Sequence, residues 1–408
     1  MKQKKNDVVI IGGGIVGSLL ALILGLNGLK VTVIDKQKKD KLFSKNHHVK
    51  SYALNQGSNN LLNILKIWDI VKIKSQPINE ILLKQGSSIS SIQPFELIFS
   101  SEYNNNYLFH MIEEIYLKKA IVKKIDKCPN IEYLYSRNIV EQFIDNNSTK
   151  LVLDSGQIIY SDLIVGSDGY PSSSAKAAGI QYTNYNYHQS SIVGIFEHEK
   201  PHENEAVQIF FPSGPLAILP LSGNRSSFVW TNKTNEAIKK FNLSDLLFLK
   251  ELNTAFQNRR GKIQLKSKKN MFPISLSIPK KIIKDRFVII GDTAHKIHPI
   301  AGQGLNLGIR DVAALAEVLI ISRRLGEDIG SRQVLNKYSK WRNVDVSSVV
   351  FFTDFANKIF SNDNYLKKFT TGLAFKLLNE SKTIKNYLIS EASGLSGDIP
   401  KLLKGSKL

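Results

Sequence analysis

The chain of 408 residues has one cysteine, Cys128, and that scarcity closes several routes at once. No internal disulfide can form, no cysteine metal cluster can be built, and a reducing compartment is implied. Cys128 sits in the turn-like Asp126-Lys127-Cys128-Pro129-Asn130, which marks it as a bystander. Acidic residues are also scarce: 35 against 55 basic, for a net charge of +20. Such a balance suits nucleic acid, a membrane surface or anionic small molecules. There is no tight basic block interleaved with stacking aromatics, so nucleic acid is not an expected partner. The Gly-x-Ser-x-Gly elbow is missing, and no Ser–His–Asp set is legible, which argues against a hydrolase. His295 and His298 are three residues apart, but beyond Asp292 no third ligand follows at metal spacing; no metal is expected. Internal repeats and long low-complexity linkers are absent.

What is present begins at the N-terminus. Lys2, Lys4 and Lys5 precede Val8 to Leu29, a run without charge. That is the layout of a secretion signal or a membrane helix. The run, however, contains Gly12, Gly13, Gly14 and Gly17 at G-x-G-x-x-G spacing, preceded by the β-branched Val8 to Ile11. It is followed by a second strand-like run, Val31 to Ile34, ending in Asp35. Strand, glycine turn, helix, strand and acid form the dinucleotide-binding fingerprint. Gly12 permits the tight turn, Gly14 lets a pyrophosphate approach the helix N-terminus, and Gly17 lets helix and strand pack closely. Asp35 is placed to accept from an adenosine ribose.

Further along, helices are expected over Asn55 to Asp69, Leu117 to Ile125 and Leu305 to Leu325, and through most of the chain after Tyr338. Alternating runs at Ile81 to Ser101, Ile192 to Phe196, Ala206 to Phe211, Ala217 to Leu221 and Phe228 to Trp230 suggest a separate sheet. Buried strands are expected at Ile158 to Val165 and Arg286 to Ile290.

The stretch from Arg286 to Asp311 repeats the logic of the opening. A β-run ends at Gly291-Asp292, and a loop carrying His295, His298 and Pro299 leads through Gly302 and Gly304 into a helix. A second strand–Asp–glycine-loop–helix unit suits a long cofactor with two distinct ends, as FAD has. Asp292 would accept from ribityl hydroxyls. The backbone of Gly302, Gln303, Gly304, Leu305 and Asn306 would cradle the pyrimidine edge of the flavin. A chain that builds this second turn needs its first one folded beside it, neither cleaved nor in lipid. The expected fold is α/β. A discontinuous Rossmann-like FAD-binding domain (1–75, 102–185 and 268–355) carries an inserted, mainly β substrate domain (76–101 and 186–267) and a helical C-terminal region (356–408).

These residues resemble the flavin-dependent aromatic hydroxylases of the para-hydroxybenzoate hydroxylase fold and, more narrowly, the ubiquinone-biosynthesis hydroxylases. The resemblance rests on His298-Pro299-Ile300-Ala301-Gly302-Gln303-Gly304-Leu305-Asn306-Leu307-Gly308, closed by Asp311. It also rests on Gly214 to Leu221 with Pro201-His202 and Val229-Trp230-Thr231, on Asp168-Gly169, on the spaced Tyr338, Arg342 and Asp345, and on Ser393 to Pro400. It implies FAD reduced by NADPH or NADH, O2 as oxidant, and hydroxylation of a polyprenylated phenol. It implies that Asp168-Gly169 serves flavin and nicotinamide cofactor, and that Lys50 lies near the cofactor phosphates where the family commonly has Arg. Pro299 and Gly302 would border the reacting face of the flavin. No catalytic base is legible; His298 is conceivable in that role, and a loop-structuring role suits it better. An Arg is also usual at the positions of Ile115 and Ala175. These departures leave open a flavin-bound, non-catalytic subunit of a quinone-biosynthesis assembly, beside a flavin hydroxylase or reductase of another aromatic or lipid. The prenylated substrate implies a cytoplasmic protein at the membrane surface, in company with other ubiquinone-biosynthesis proteins. A basic amphipathic stripe, Leu366, Phe369, Leu373 and Leu377 flanked by Lys367, Lys368 and Lys376, suits such a surface or packing on the body.

Overall fold

The computed structural model describes residues 5–40, 50–88, 91–101, 107–297, 303–343, 345–346 and 381–408. The stripe Leu366 to Leu377 and the loop residues His298, Pro299 and Gly302 lie outside these. Among the described residues the strands form three sheets. In the first, Phe287–Ile289, Ile158–Gly166, Lys5–Ile11, Val31–Asp35 and Ile131–Tyr135 are neighbours in that order and run parallel. Parallel neighbours need a crossover, and the helix Ile15–Leu26 supplies the first one. Because helices cover the sheet, its strands are buried runs rather than alternating ones: Val8, Val9 and Ile10 have no exposed surface. The helix Gln303–Arg324 packs against Ile15–Leu26, close to the helix expected over Leu305 to Leu325.

The second sheet runs in the order Ile263–Leu265, Tyr182–His198, Arg225–Lys233, Gly214–Leu221, Glu205–Phe211, Glu80–Ser88, Ser91–Ser100. One face buries Phe196, Phe228 and Trp230 against the helices Thr234–Phe241 and Asp245–Ala255. The strand Asn270–Pro279 also pairs with Tyr182–His198, from Val193↔Asn270 to Tyr182↔Pro279. The sheet therefore runs from 182 to 279, beyond the expected 186–267. Pro273 and Pro279 mask the strand in the sequence, and an edge strand tolerates them. Gln76–Ile78, expected in this sheet, instead joins Ser51–Leu54 and Phe109–Glu113 in a small third sheet.

The helix expected over Asn55 to Asp69 is broken. Asn55 caps Gln56–Ile64 by accepting from the Ser58 N–H at 2.9 Å. Lys66 then takes φ +51°, a left-handed conformation that ends the turn before the short helix Trp68–Val71. Of the described residues after Tyr338, 339–343, 345–346 and Lys382–Ala392 are helical. No described helix is long and apolar enough to cross a membrane.

Candidate functional site: two glycine turns and a buried ion network

At the first turn each glycine answers to its surroundings. Gly12 has φ +103°, and a methyl group there would lie 2.4 Å from the Ser167 carbonyl oxygen. At Gly17 it would lie 2.1 Å from the Gly12 carbonyl oxygen. At Gly14 it would meet nothing within 4 Å. Gly14 is the N-cap of the first helix and caps it with no side chain, so the helix opens toward free space. Ser18 and Lys118 line a small cleft beside Gly13 and Gly14. Asp35, half-buried at the end of its strand, accepts from the Gly13 N–H at 2.7 Å through Oδ2 and from the Gln37 N–H at 2.7 Å through Oδ1. Each oxygen keeps acceptor capacity for a hydroxyl.

The second turn packs directly on the first. Gly291 has φ +61°, and Val16 of the first helix lies 3.1 Å from where its methyl would stand. A methyl on Gly308 of the long helix would come 2.8 Å from the same Val16 side chain. Two strand–glycine–helix units thus meet at Val16. Asp292 is exposed and accepts no hydrogen bond from a described residue; its Oδ1 lies 4.0 Å from a methyl position on Gly304. Its carboxylate faces the first turn of the long helix. The Asn306 side chain is spent within the protein: Oδ1 accepts from the Asn55 N–H at 3.1 Å and the Ser58 hydroxyl at 2.8 Å, and Nδ2 donates to the Ala53 carbonyl at 2.7 Å. That commits the Asn306 side-chain carbonyl oxygen and one of its two N–H donors to the protein. An open helix N-terminus, acceptors at Asp35 and a carboxylate at Asp292 that accepts from no described residue fit an FAD. Asp292→Ala should weaken FAD binding about 10- to 100-fold, the worth of hydrogen bonds to a charged group. Apoprotein stability should stay unchanged, because Asp292 has no hydrogen-bond partner among the described residues; flavin titration and thermal melts of the apoprotein check both.

The structure gives Asp168 a task other than direct cofactor contact. Its Oδ1 accepts from the Ser172 and Ser174 hydroxyls at 2.6 and 2.8 Å, and its Oδ2 from the Ser173 hydroxyl at 3.0 Å and the Ser174 N–H at 3.1 Å. A carboxylate has about four acceptor positions, and all are filled. Gly169 is locked instead to the second turn, its N–H donating to Thr293 Oγ1 at 2.8 Å. Lys50 is exposed, with Nζ 5.3 Å from the Phe272 ring centre, and so reaches across to the second sheet. Ile115 is buried at 5% exposure and Ala175 is fully buried in an apolar cluster, so arginine has no place at either position in this chain.

Behind the second turn lies a buried ion network. Asp311 accepts from the Gly291 N–H at 2.8 Å, from His295 Nε2 at 2.5 Å and from Arg342 Nε at 2.7 Å. Arg342 also donates to Asp345, which pairs with Arg310. Arg310 in turn donates to the carbonyls of Gly394, Ser396 and Asp398. The spaced Tyr338, Arg342 and Asp345 and the segment Ser393 to Pro400 are thereby tied to the strand end that carries Asp292. Burial alone would raise the Asp311 carboxyl; the charges of His295 and Arg342, with the hydrogen bonds from His295 and Gly291, outweigh it and hold the group below its ordinary range. Its contribution to stability is full above the unfolded value of about 4 and is lost as pH falls through the lower folded value. Melts between about pH 6 and pH 2.5 should therefore fall less steeply for Asp311→Asn, from a lower start, than for the wild type.

Tyr133, Ser167, Thr293, Asn55 and Arg310 escaped the sequence reading, because each acts on a segment far away in the chain. Ser167, Thr293 and Arg310 stood beside motif residues, next to Asp168, Asp292 and Asp311. Among the described residues, no group of three or more His, Cys, Asp or Glu is placed to hold a metal ion.

Comparison with known proteins agrees with this arrangement. The family profile described as FAD binding domain matches residues 5–353. A ubiquinone hydroxylase of Rhodospirillum rubrum is 32% identical over 409 residues, covering 100% of this chain and 94% of that protein. The 3-demethoxyubiquinol 3-hydroxylase of Escherichia coli is 28% identical, covering 97% of this chain and 100% of that protein. Among solved structures, p-nitrophenol 4-monooxygenase of Pseudomonas putida superposes with a TM-score of 0.79 at 16% identity, covering 97% of this chain and 100% of that one. A probable FAD-dependent monooxygenase of Pseudomonas aeruginosa gives 0.77 at 19% identity, covering 91% and 100%. At these identities the two structures speak for the fold.

Proposed function

Because this chain belongs to the FAD binding domain family and, within it, to the ubiquinone-biosynthesis hydroxylases, we propose that it hydroxylates the aromatic ring of a polyprenylated phenol with O2 and NADPH or NADH. The observation that carries this reading is the packing of two strand–glycine–helix turns on Val16, one opening at Gly14 and the other facing Asp292. FAD, when bound, supplies the electron transfer and the oxygen activation. The protein's residues hold and orient. The N–H groups after Gly14 face the pyrophosphate, Asp35 accepts from the ribose and Asp292 from the ribityl chain. The first turn of the long helix, around Gly304 and Leu305, favours negative charge at the ring edge.

The second sheet supports a neutral, apolar substrate. Opposite the face that packs on its helices, Val193, Val229, Ala217, Gln208 and Leu83 line up across five strands, every one half-exposed. The row carries no charge, and its one polar member is an amide. A prenylated ring can lie on such a wall without stranding a buried ion. Association with a membrane surface and with other ubiquinone-biosynthesis proteins belongs to the same proposal, since the substrate resides in lipid.

Incubation with FAD, NADPH, a short-chain prenylated phenol and 18O2 tests the function. The expected product carries one added 18O on the ring. Oxidation of NADPH with no labelled ring product would turn the reading to a flavin reductase.

A further inference from the structure

We infer that Tyr133 is a positioning residue of the dinucleotide turn: its hydroxyl holds the Gly13 peptide in place, and its presence is what requires glycine at position 13. The inference rests on the placement of FAD at that turn.

The four glycines of the motif are required for different reasons. Gly12 needs its positive φ, Gly17 needs room beside the turn, and Gly14 faces open space. Gly13 does not have a left-handed φ, so its backbone would accept alanine. What forbids a side chain is its neighbour. A methyl on Gly13 would lie 1.6 Å from the Tyr133 hydroxyl oxygen, 2.5 Å from Tyr133 Cζ and 2.9 Å from Asp35 Oδ2.

The same hydroxyl donates to the Gly13 carbonyl at 2.9 Å, and Ser18 Oγ donates to it at 3.1 Å. On the other side of the residue, the Gly13 N–H is held by Asp35. Residue 13 is therefore gripped at both its donor and its acceptor, and the next peptide is left to face the open side at Gly14. Tyr133 is itself rigid: it lies in the strand Ile131–Tyr135, and its ring stacks on Tyr135 with centroids 4.1 Å apart at 16°. Burial, then the nearby Asp35 carboxylate, push its phenol far above the ordinary range, so it stays a donor at neutral pH.

The test is FAD titration of apoprotein, followed by flavin fluorescence, with apoprotein melts alongside. Tyr133→Phe is nearly isosteric and leaves Ser18 on the Gly13 carbonyl. It should weaken FAD binding about 3- to 10-fold, the worth of one hydrogen bond, with little change in melting. Gly13→Ala should lose binding far more severely. Gly13→Ala with Tyr133→Leu should recover about tenfold of that loss, because the two nearest atoms in the methyl's way are gone and only Asp35 Oδ2, at 2.9 Å, remains close. Binding by Tyr133→Phe equal to wild type, or a double variant no tighter than Gly13→Ala, overturns the inference. If neither Gly13 variant folds, Tyr133→Phe decides alone. Wild-type apoprotein that fails to bind FAD would overturn the placement of the cofactor instead, whatever the variants do.

Discussion

Arg342→Ala is expected to destabilise the fold by about 3–5 kcal/mol, the cost of removing one partner from a buried ion pair. The arginine is 1% exposed and lies between two carboxylates, Asp311 at 2.7 Å and Asp345 at 2.5 Å. Without it, Asp311 keeps only the His295 ring and the Gly291 N–H as partners in a site with 1% exposure. Asp345 keeps Arg310, which is why the loss is not larger. Arg342→Lys should recover part of the stability, since it restores charge without the planar fork. Because Asp311 also accepts from the Gly291 N–H, the damage should reach the turn that carries Asp292, and FAD affinity should fall together with stability. Urea unfolding of the apoproteins measures the first effect and flavin titration the second. A loss under about 1 kcal/mol would mean that the network is dispensable to the fold.

The second large effect is expected at Gly12. Gly12→Ala forces a side chain into φ +103° and brings its methyl to 2.4 Å from the Ser167 carbonyl oxygen, which is main chain and cannot swing away. Strain of that kind costs about 1–3 kcal/mol before the contact is counted. The variant should purify without flavin, with an affinity lowered by at least about 100-fold, as several kcal/mol at one turn imply. Gly14→Ala is the informative comparison. Its methyl meets no protein atom within 4 Å, so the apoprotein should melt like wild type while FAD binding still falls. Full flavin content in Gly12→Ala would contradict the structure of the turn. Full content in Gly14→Ala would place the cofactor elsewhere.

The sequence made both glycine turns legible, because their signals are local: β-branched runs, glycines at fixed spacing, an acid at the strand end. The long helix was legible for the same reason, and its observed bounds, Gln303–Arg324, lie within two residues of those read from periodicity. What was not legible depends on partners distant in the chain. Asp168 looks like a ligand by motif, yet its four acceptor positions are filled by Ser172, Ser173 and Ser174, a geometry that only the folded loop reveals. The strand Asn270–Pro279 carries prolines and serines where a strand signal should be, and is held by pairing with Tyr182–His198. The motif residues Arg342 and Asp345 were visible as a pattern, but their purpose was not, since Asp311 lies 31 residues from Arg342. The apolar positions 115 and 175 looked like lost cations. In the folded protein they are core, and a cation beside the first turn comes from Lys118.

The proposal that this flavin enzyme hydroxylates a prenylated phenol at the expense of NADPH or NADH is tested most directly by anaerobic stopped-flow reduction of the FAD-loaded protein. NADPH and NADH would be compared, each with and without a short-chain prenylated phenol. The account predicts that the phenol sharply accelerates flavin reduction by at least one of them. Bound FAD that neither nicotinamide reduces, with the phenol present or absent, would contradict it.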